Sequence, residues 1–365
     1  MRELRIGFAY NEKPSEDAEP PSGQPLPVDR LPASNGAVPA SLSPALHDRF
    51  AEWDEPATIA AIEAALRRRG TVIRMEADTD FPAKLREQLP DIVFNIAEGL
   101  NGPNREAHVP AICEYYGVPY TASDPLTLAL ALDKRRAKEI FRARGVCTPA
   151  YVLVGDGAGP DLPASFPLPA VVKPLYEGSS MGISERAYCT TPEQVAARVA
   201  EVVGEYDEPA LVEEFLPGRE FTVAILGNGQ TARVLPIVEI RFDALPAGAL
   251  PLYGYEAKWI WDTADQPLQI FDCPAPLEPP LAHALESAAL AAYHALGCRD
   301  WGRVDMRLDA RGVPHVLEIN PLPGILPDPR QNSCFPKAAR AAGIDYDELI
   351  CTVLDSALAR YGMRP

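Results

Sequence analysis

The sequence predicts an α/β protein that begins on a parallel sheet and ends around a charged β-hairpin. Two observations predict it. The first is rhythm: apolar strand-like stretches at residues 4–10, 71–74 and 91–95 alternate with helical patterns, as in parallel sheets. The second is the stretch 301–324, where Val304, Met306 and Leu308 alternate with Arg303, Asp305, Arg307 and Asp309 to give one apolar and one charged face. Asp309-Ala-Arg-Gly312 supplies turn chemistry, and the return run 315–320 puts Glu318 and Asn320 on one face. Such a hairpin gathers Arg303, Asp305, Glu318 and Asn320 into one small space. Two carboxylates and an amide oxygen are hard donors suited to Mg2+, which keeps open positions for phosphate oxygens. A solvated strand face with ordinary surface charge is the competing reading.

Taken in order, residues 4–10 form a first strand, and 12–48 follow as a Pro-, Ser-, Gly- and Ala-rich insertion too poor in apolar side chains to pack as a domain. Trp53-Asp-Glu-Pro starts a helix with Asp54 as its expected cap and Ile59, Ile62 and Leu66 on one face. The loop 96–106 follows a strand's carboxyl end, where parallel sheets bind ligands. Helices are expected from Pro125 and from Lys134 to Gly145, and strands at 149–154 and 170–173. Asp156-Gly-Ala-Gly-Pro160 is a turn-forming linker, because no helix follows its glycines. A helix from Thr191 to about Val203 precedes strands at 210–216, 220–226 and 231–240, the last two joined by Gly-Asn-Gly229. Helices at 281–296, 335–343 and 346–361 complete the pattern.

Composition narrows the function classes. A chain of 365 residues can bury two or three cores. A net charge of −17 argues against nucleic acid or an anionic membrane surface as partner, while leaving room for a local positive pocket. No run approaches a membrane span, and the first apolar stretch is too short for a signal peptide, so the cytoplasm is the expected location. The seven cysteines show no metal-ligand spacing and read as reduced, mostly buried thiols.

Phosphate binding has to be built without a Walker A sequence. The candidate is Ala170-Val-Val-Lys-Pro174 with Leu-Tyr-Glu-Gly-Ser-Ser-Met-Gly182: a lysine at a strand end, then small residues whose N–H groups and hydroxyls can cover phosphate oxygens. A plain turn would look similar. Downstream, Glu213 and Glu220 flank an apolar hinge and could accept from an adenine amino group and ribose hydroxyls; surface carboxylates on a strand edge are the alternative.

The order of these features resembles the ATP-grasp superfamily, and within it the D-alanine–D-alanine ligase family, from about Asp91 onward. The matching motifs are Gly-Val-Pro-Tyr-Thr121, Leu-Asp-Lys134, Val-Lys-Pro-x-x-Glu-Gly-Ser-Ser-x-Gly182, Glu-Phe-Thr-Val-Ala-Ile-Leu226, Tyr-Glu-Ala-Lys258, Gly-Cys-Arg-Asp-Trp-Gly-Arg-Val-Asp305 and Leu-Glu-Ile-Asn320. The resemblance implies an ATP-grasp fold: a Rossmann-like domain at 1–122, a central subdomain at 123–209 and a C-terminal subdomain at 210–365. It implies Lys134 and Lys173 on the α- and β-phosphates under a loop of Ser179, Ser180 and Gly182. Glu213 and the Leu216 backbone would contact adenine, Glu220 the ribose and Lys258 the γ-phosphate. Asp305, Glu318 and Asn320 would bind two Mg2+ ions, with Mn2+ as a substitute. Arg303 and the Gly324 backbone would stabilise an oxyanion, Ser180 would stand with the catalytic groups, Glu55 (or Asp54) would take the first amino group, and Ser333 would grip the second substrate's carboxylate unless it only caps a helix.

The departures lie on the amino-acid side. The family's Gly-Gly-x-Ser-x-Glu loop is replaced by Tyr10-Asn-Glu-Lys13, its histidine by the stretch around Glu98-Gly99, and its lid tyrosine by Trp259. The expected activity is an ATP-dependent carboxylate–amine ligase joining two small amino acids through an acyl phosphate. A homodimer is compatible with it. The competing readings are transfer to a different amine, a hydroxyl or an internal nucleophile, a dipeptide ligase of specialised metabolism, and a nucleotide-binding protein without turnover.

Overall fold

The computed structural model describes residues 3–14, 50–99, 101–155, 162–243, 245, 250–254 and 268–364. The Pro-rich stretch from residue 15 to 49, the linker at 156–160 and the segment carrying Lys258 and Trp259 lie outside the described residues.

Leu4–Tyr10 (β1) is the middle strand of a three-stranded parallel sheet, between Gly70–Glu76 (β2) and Ile92–Asn95 (β3). A central strand must be apolar on both faces, which explains its near-continuous hydrophobic run. Ile6 and Phe8 face Pro56–Leu66 (α1), while Ala9 faces the side covered by Phe81–Gln88 (α2) and His108–Tyr116 (α3). Each fully buried side chain such as Phe8 or Ile59 contributes about 1.5–3 kcal/mol. The last helix, Tyr346–Arg360 (α9), packs on α1 in the same core, and Arg69 holds Asp355 at 2.7 Å across them.

The parallel rhythm ends with β3. Tyr151–Val154 (β4), Ala170–Pro174 (β5), Tyr188–Cys189 (β6) and Ala210–Glu214 (β7) form an antiparallel sheet in the order β4-β7-β5-β6, backed by Pro192–Tyr206 (α6). The third sheet is also antiparallel: Glu220–Leu226 (β8), Arg233–Val234 (β9), Val238–Ile240 (β10), Phe271–Asp272 (β11), Trp301–Leu308 (β12) and Pro314–Asn320 (β13). Pro279–Leu296 (α7) backs it through Leu285, Ala289 and Tyr293. Pro125–Leu132 (α4), Lys134–Ala143 (α5) and Cys334–Ala341 (α8) complete the frame around the site.

Several expectations need correction. Asp54 does not cap α1: Glu55 holds the N-cap position with no side-chain cap bond, because Asp54 is drawn into a short bridge with Glu12 and Pro56 sets the first turn. The single strand expected at 231–240 is split into β9 and β10, since Pro236 has no N–H to give to a ladder. Helix α3 went unanticipated; Pro110 reads as a breaker but sits in the first turn, where it is tolerated. The thiols agree with expectation: all seven are free and four are buried, with Cys147 exposed and Cys273 and Cys334 half-buried.

Candidate active site

The loops and sheet faces meet at a cavity of about 320 Å³. One wall is the β12–β13 hairpin, whose register pairs Arg303 with Asn320 and Asp305 with Glu318, followed by a bulge. Arg303 reaches Asp305 with Nη2 to Oδ2 at 2.8 Å and Nε to Oδ1 at 3.0 Å, and Asn320 Nδ2 donates to Asp305 Oδ2 at 3.1 Å. Burial works against the Arg303 charge, but Asp305 outweighs it and holds the guanidinium above its ordinary pKa. No hydrogen bond or ion pair reaches the Glu318 carboxylate among the described residues, although it lines the cavity beside this group. Among the described residues no group of three His, Cys, Asp or Glu is placed to hold a metal. Two carboxylates completed by the Asn320 amide oxygen nevertheless fit a hard divalent cation, and the unspent Glu318 is the sign of that fit.

The nucleotide-side expectations converge on a buried charge group. Lys173, on β5, meets Glu213 of β7 at 2.6 Å (Nζ to Oε2). Lys138, not anticipated, meets the other oxygen of Glu213 at 2.5 Å and also donates to Thr148 Oγ1 and the Leu317 carbonyl. Burial pushes the Glu213 carboxyl up, but the two ammonium groups outweigh it and bring it to about 2. Lys138 lies one helical turn beyond Lys134 on α5, so a reading of faces at i and i+4 would have found it. Lys134 donates to the carbonyls of Leu175 and Glu177 and so pins the Gly-Ser loop.

That loop is shaped by backbone. Ser179, Ser180 and Gly182 all have left-handed φ values of 51°, 61° and 69°. At Gly182 an added Cβ would lie 2.6 Å from the Pro174 ring, so only glycine fits. Ser179 and Ser180 line the cavity, with Ser180 Oγ donating to the Tyr253 carbonyl at 3.0 Å. Gly182 stands behind it, its carbonyl accepting from Arg198 at 2.8 Å. Leu216 is buried at the rim, and Glu220 pairs with its cross-strand neighbour Arg307 at 2.9 Å. Burial nevertheless pushes Glu220 up to about 7. Arg307 was missed; its guanidinium lies over Phe215 at 4.6 Å.

Gly324 and Ser333 line the same cavity. Ser333 occupies the N-cap position of α8 without a side-chain cap bond. Its hydroxyl instead donates to the Gly324 carbonyl and accepts from Leu326 N–H, each at 3.1 Å.

The remaining wall comes from the first sheet. Glu52, Asp54, Glu98 and Glu106 line it, around the guanidinium of Arg105, which meets Glu52 at 2.9 Å and Glu177 at 3.3 Å. Glu55 is a correction: it is exposed and pairs with Lys13 at 3.2 Å, outside the cavity. Adjacent residues in extended backbone point to opposite sides, so turning Asp54 inward turns Glu55 out. Burial and neighbouring carboxylates push Glu106 up to about 8 and Asp54 up to about 7. Glu106 and Arg105 belong to the loop that the sequence marks as a ligand position, but nothing in their spacing singles them out.

Three sheets meeting at one cavity, with a lysine-bound strand pair facing a carboxylate hairpin, define an ATP-grasp enzyme. A family model described as "D-ala D-ala ligase C-terminus" matches residues 157–355, more than half of the chain. The chain belongs to the D-alanine–D-alanine ligase family. It is 38% identical to uncharacterized protein y4sG of Sinorhizobium fredii, over 85% of this chain and 90% of that protein. It is likewise 38% identical to the D-alanine–D-alanine ligase of Xanthomonas axonopodis pv. citri, over 80% and 87%. The crystal structure of D-alanine–D-alanine ligase from Bacillus anthracis complexed with ATP superposes with a TM-score of 0.66 at 22% identity, covering 98% of this chain and 99% of that one. No described helix is long and apolar enough to cross a membrane.

Proposed function

We propose that this ATP-dependent ligase joins the carboxylate of one amino acid to the amine of a second, as the relatives named D-alanine–D-alanine ligase suggest. The carrying observation is that Lys173 and Glu213, braced from behind by the buried Lys138, and the Asp305, Glu318, Asn320 hairpin face one cavity. One end supplies cations for phosphates, the other hard oxygens and an arginine for the reacting centre.

A carboxylate is a poor acyl donor because its leaving group would be oxide. In the proposed first step a carboxylate oxygen attacks the γ-phosphorus of ATP, ADP departs, and an acyl phosphate forms. The amine nitrogen then attacks the acyl carbon, phosphate leaves with its bridging oxygen, and the nitrogen loses its proton to give the amide. Lys134 and Lys173 are assigned to the α- and β-phosphates, Ser179, Ser180 and Gly182 to the covering loop, Glu213 and Leu216 to adenine, and Glu220 to ribose. Lys258 is assigned to the γ-phosphate. Arg303 and the Gly324 N–H take the developing oxyanion. Asp305, Glu318 and Asn320 would hold Mg2+, two ions or Mn2+ in their place, which neutralises phosphate charge when bound. The domain limits at about 122 and 209 and a cytoplasmic location, where ATP is at hand, belong to this reading.

The test is phosphate release from ATP with an amino-acid panel, with the dipeptide identified by mass. Amino-acid-dependent release with a peptide product is expected; release without a peptide product would overturn the reading.

A further inference from the structure

Resting on the ligase reading, we propose that one amino-acid substrate carries a cationic side chain, whose ammonium or guanidinium head is held by Glu52, Asp54, Glu98 and Glu106. These four carboxylates come from two separate segments: Glu52 and Asp54 from the stretch before α1, Glu98 and Glu106 from the two ends of the loop between β3 and α3. Arg105 is the guanidinium among them, with its bonds to Glu52 and Glu177, and Lys134 across the cavity also acts on Glu106, so two cations face four carboxylates. Glu106 is 8% exposed, lines the cavity, and has no hydrogen bond or ion pair among the described residues. Glu98 lines the cavity equally unpartnered among the described residues. Carboxylates taken out of water and left unpaired are costly, so the wall is built for an occupant that brings positive charge.

Shape supports the same occupant. A side cavity of about 30 Å³ is lined by Glu52, Asp54 and Glu98 together with the apolar Ile96, Trp301 and Leu322, and the three carboxylates line the main cavity as well. It has room for a group the size of water or ammonium. A basic side chain lays its methylenes on apolar surface and presents its head to acceptors, which is the pattern of this lining. A substrate with a neutral side chain offers one ammonium and adds a carboxylate of its own, leaving most of the wall unmatched. The competing way to relieve the wall is uptake of protons by the carboxyl groups themselves, and burial together with mutual repulsion already raises Glu106 and Asp54.

Kinetics on the full chain decide between the two. Lysine, ornithine, 2,4-diaminobutanoate and arginine are compared with alanine and with norleucine, the neutral match for lysine, using both stereoisomers and phosphate release with product mass. The expected result is kcat/KM for a basic member exceeding norleucine by roughly tenfold or more, a preference that E98Q and E106Q reduce. A melting shift, read with ATP present and no second substrate, gives an independent measure: lysine raises the transition of the parent but not that of the E98Q/E106Q double variant. Glutamine keeps the side-chain volume and its amide resembles the protonated carboxyl, so unliganded melting close to that of the parent is expected and shows the fold intact. Alanine or norleucine serving as well as every basic amino acid, with a peptide formed, overturns this inference and leaves the ligase reading standing. Absence of amino-acid-dependent phosphate release from folded protein overturns both.

Discussion

The two sides of the cavity handle charge in opposite ways. On the nucleotide side most charges have a counterpart, the proposed metal ligand Glu318 apart: Glu213 has Lys173 and Lys138, Asp305 has Arg303, and Glu220 has Arg307. On the first-sheet side, among the described residues, four carboxylates have Arg105 and the more distant Lys134. Matched charges hold their geometry without a ligand, and so a phosphate site is pre-built. Unmatched charges hold a place for something else. One cavity thus combines a constant chemistry with a wall that decides what it acts on.

The largest expected effect breaks the matched side at its reacting end. Asp305→Asn and Glu318→Gln each remove one charge from the proposed Mg2+ shell, and several kcal/mol of charge stabilisation corresponds to on the order of a thousandfold in kcat. Melting temperatures should change little for Glu318→Gln, whose carboxylate makes no hydrogen bond among the described residues. Parent-like turnover of either variant at ordinary Mg2+ concentration would refute the assignment.

Next comes the buried charge group, where two lysines with one partner should differ. Lys138 is fully buried, with its bonds to Glu213, Thr148 and Leu317. Lys138→Ala leaves Glu213 with Lys173 but takes the donor from Thr148 and from the Leu317 carbonyl and opens a buried gap, so it should cost about 2–3 kcal/mol of stability. Lys173→Ala leaves Glu213 with Lys138 and should chiefly raise the KM for ATP, because a phosphate loses its charge partner. Urea unfolding and ATP kinetics on both variants separate these roles. Equal effects on ATP binding would mean that Lys138 also belongs to the nucleotide site.

What was legible in the sequence follows the same division. The β12–β13 hairpin and the Lys173 loop are local: period-two alternation fixes which side chains share a face, and the register then brings Asp305 beside Glu318. The order of such local features was enough to identify the fold. Lys138, Arg307 and Glu106 are non-local, since each acquires its role from an element distant in sequence. Asp300 shows this most plainly: buried in a left-handed turn, it accepts from Ala122 N–H and Asn228 and pairs with Arg360, ties that no short motif encodes. The choice of Glu55 over Asp54 failed for a smaller reason. They are neighbours in extended backbone, and composition does not say which of the two turns inward.

A subtler effect distinguishes the two sides by pH. The folded Glu213 carboxyl sits at about 2 against an ordinary 4.5, so its stabilisation is complete above about 4.5 and is lost as pH falls toward 2. Glu106 runs the other way. With its folded value at about 8, the folded state keeps a proton that the unfolded chain has released. Its contribution is complete below about 4.5 and declines as pH rises toward 8, by at most about 1.4 kcal/mol per unit. Melting temperature should therefore fall between pH 5 and 8, and Glu106→Gln should flatten the fall. A parent curve already flat over that range would show that the first-sheet wall is relieved in some other way.

The smallest expected effect tests where Ser333 belongs. A helix cap would donate nothing to the site, whereas the observed hydroxyl bonds the Gly324 carbonyl and Leu326 N–H, tying down the loop that carries the proposed oxyanion donor. Ser333→Ala removes both bonds at a position only 6% exposed, which should cost about 1–2 kcal/mol. Loss of a loop tie should lower kcat for every amino-acid pair alike. If the hydroxyl releases Gly324 to grip a carboxylate, the KM for the second amino acid should rise while that for ATP stays put. An amino-acid amide makes the distinction directly in the parent enzyme, because it keeps the amine nucleophile and lacks the carboxylate. Use of the amide as readily as the free acid would leave Ser333 a positioning residue for the Gly324 loop. Selective loss of the amide would assign it to the substrate.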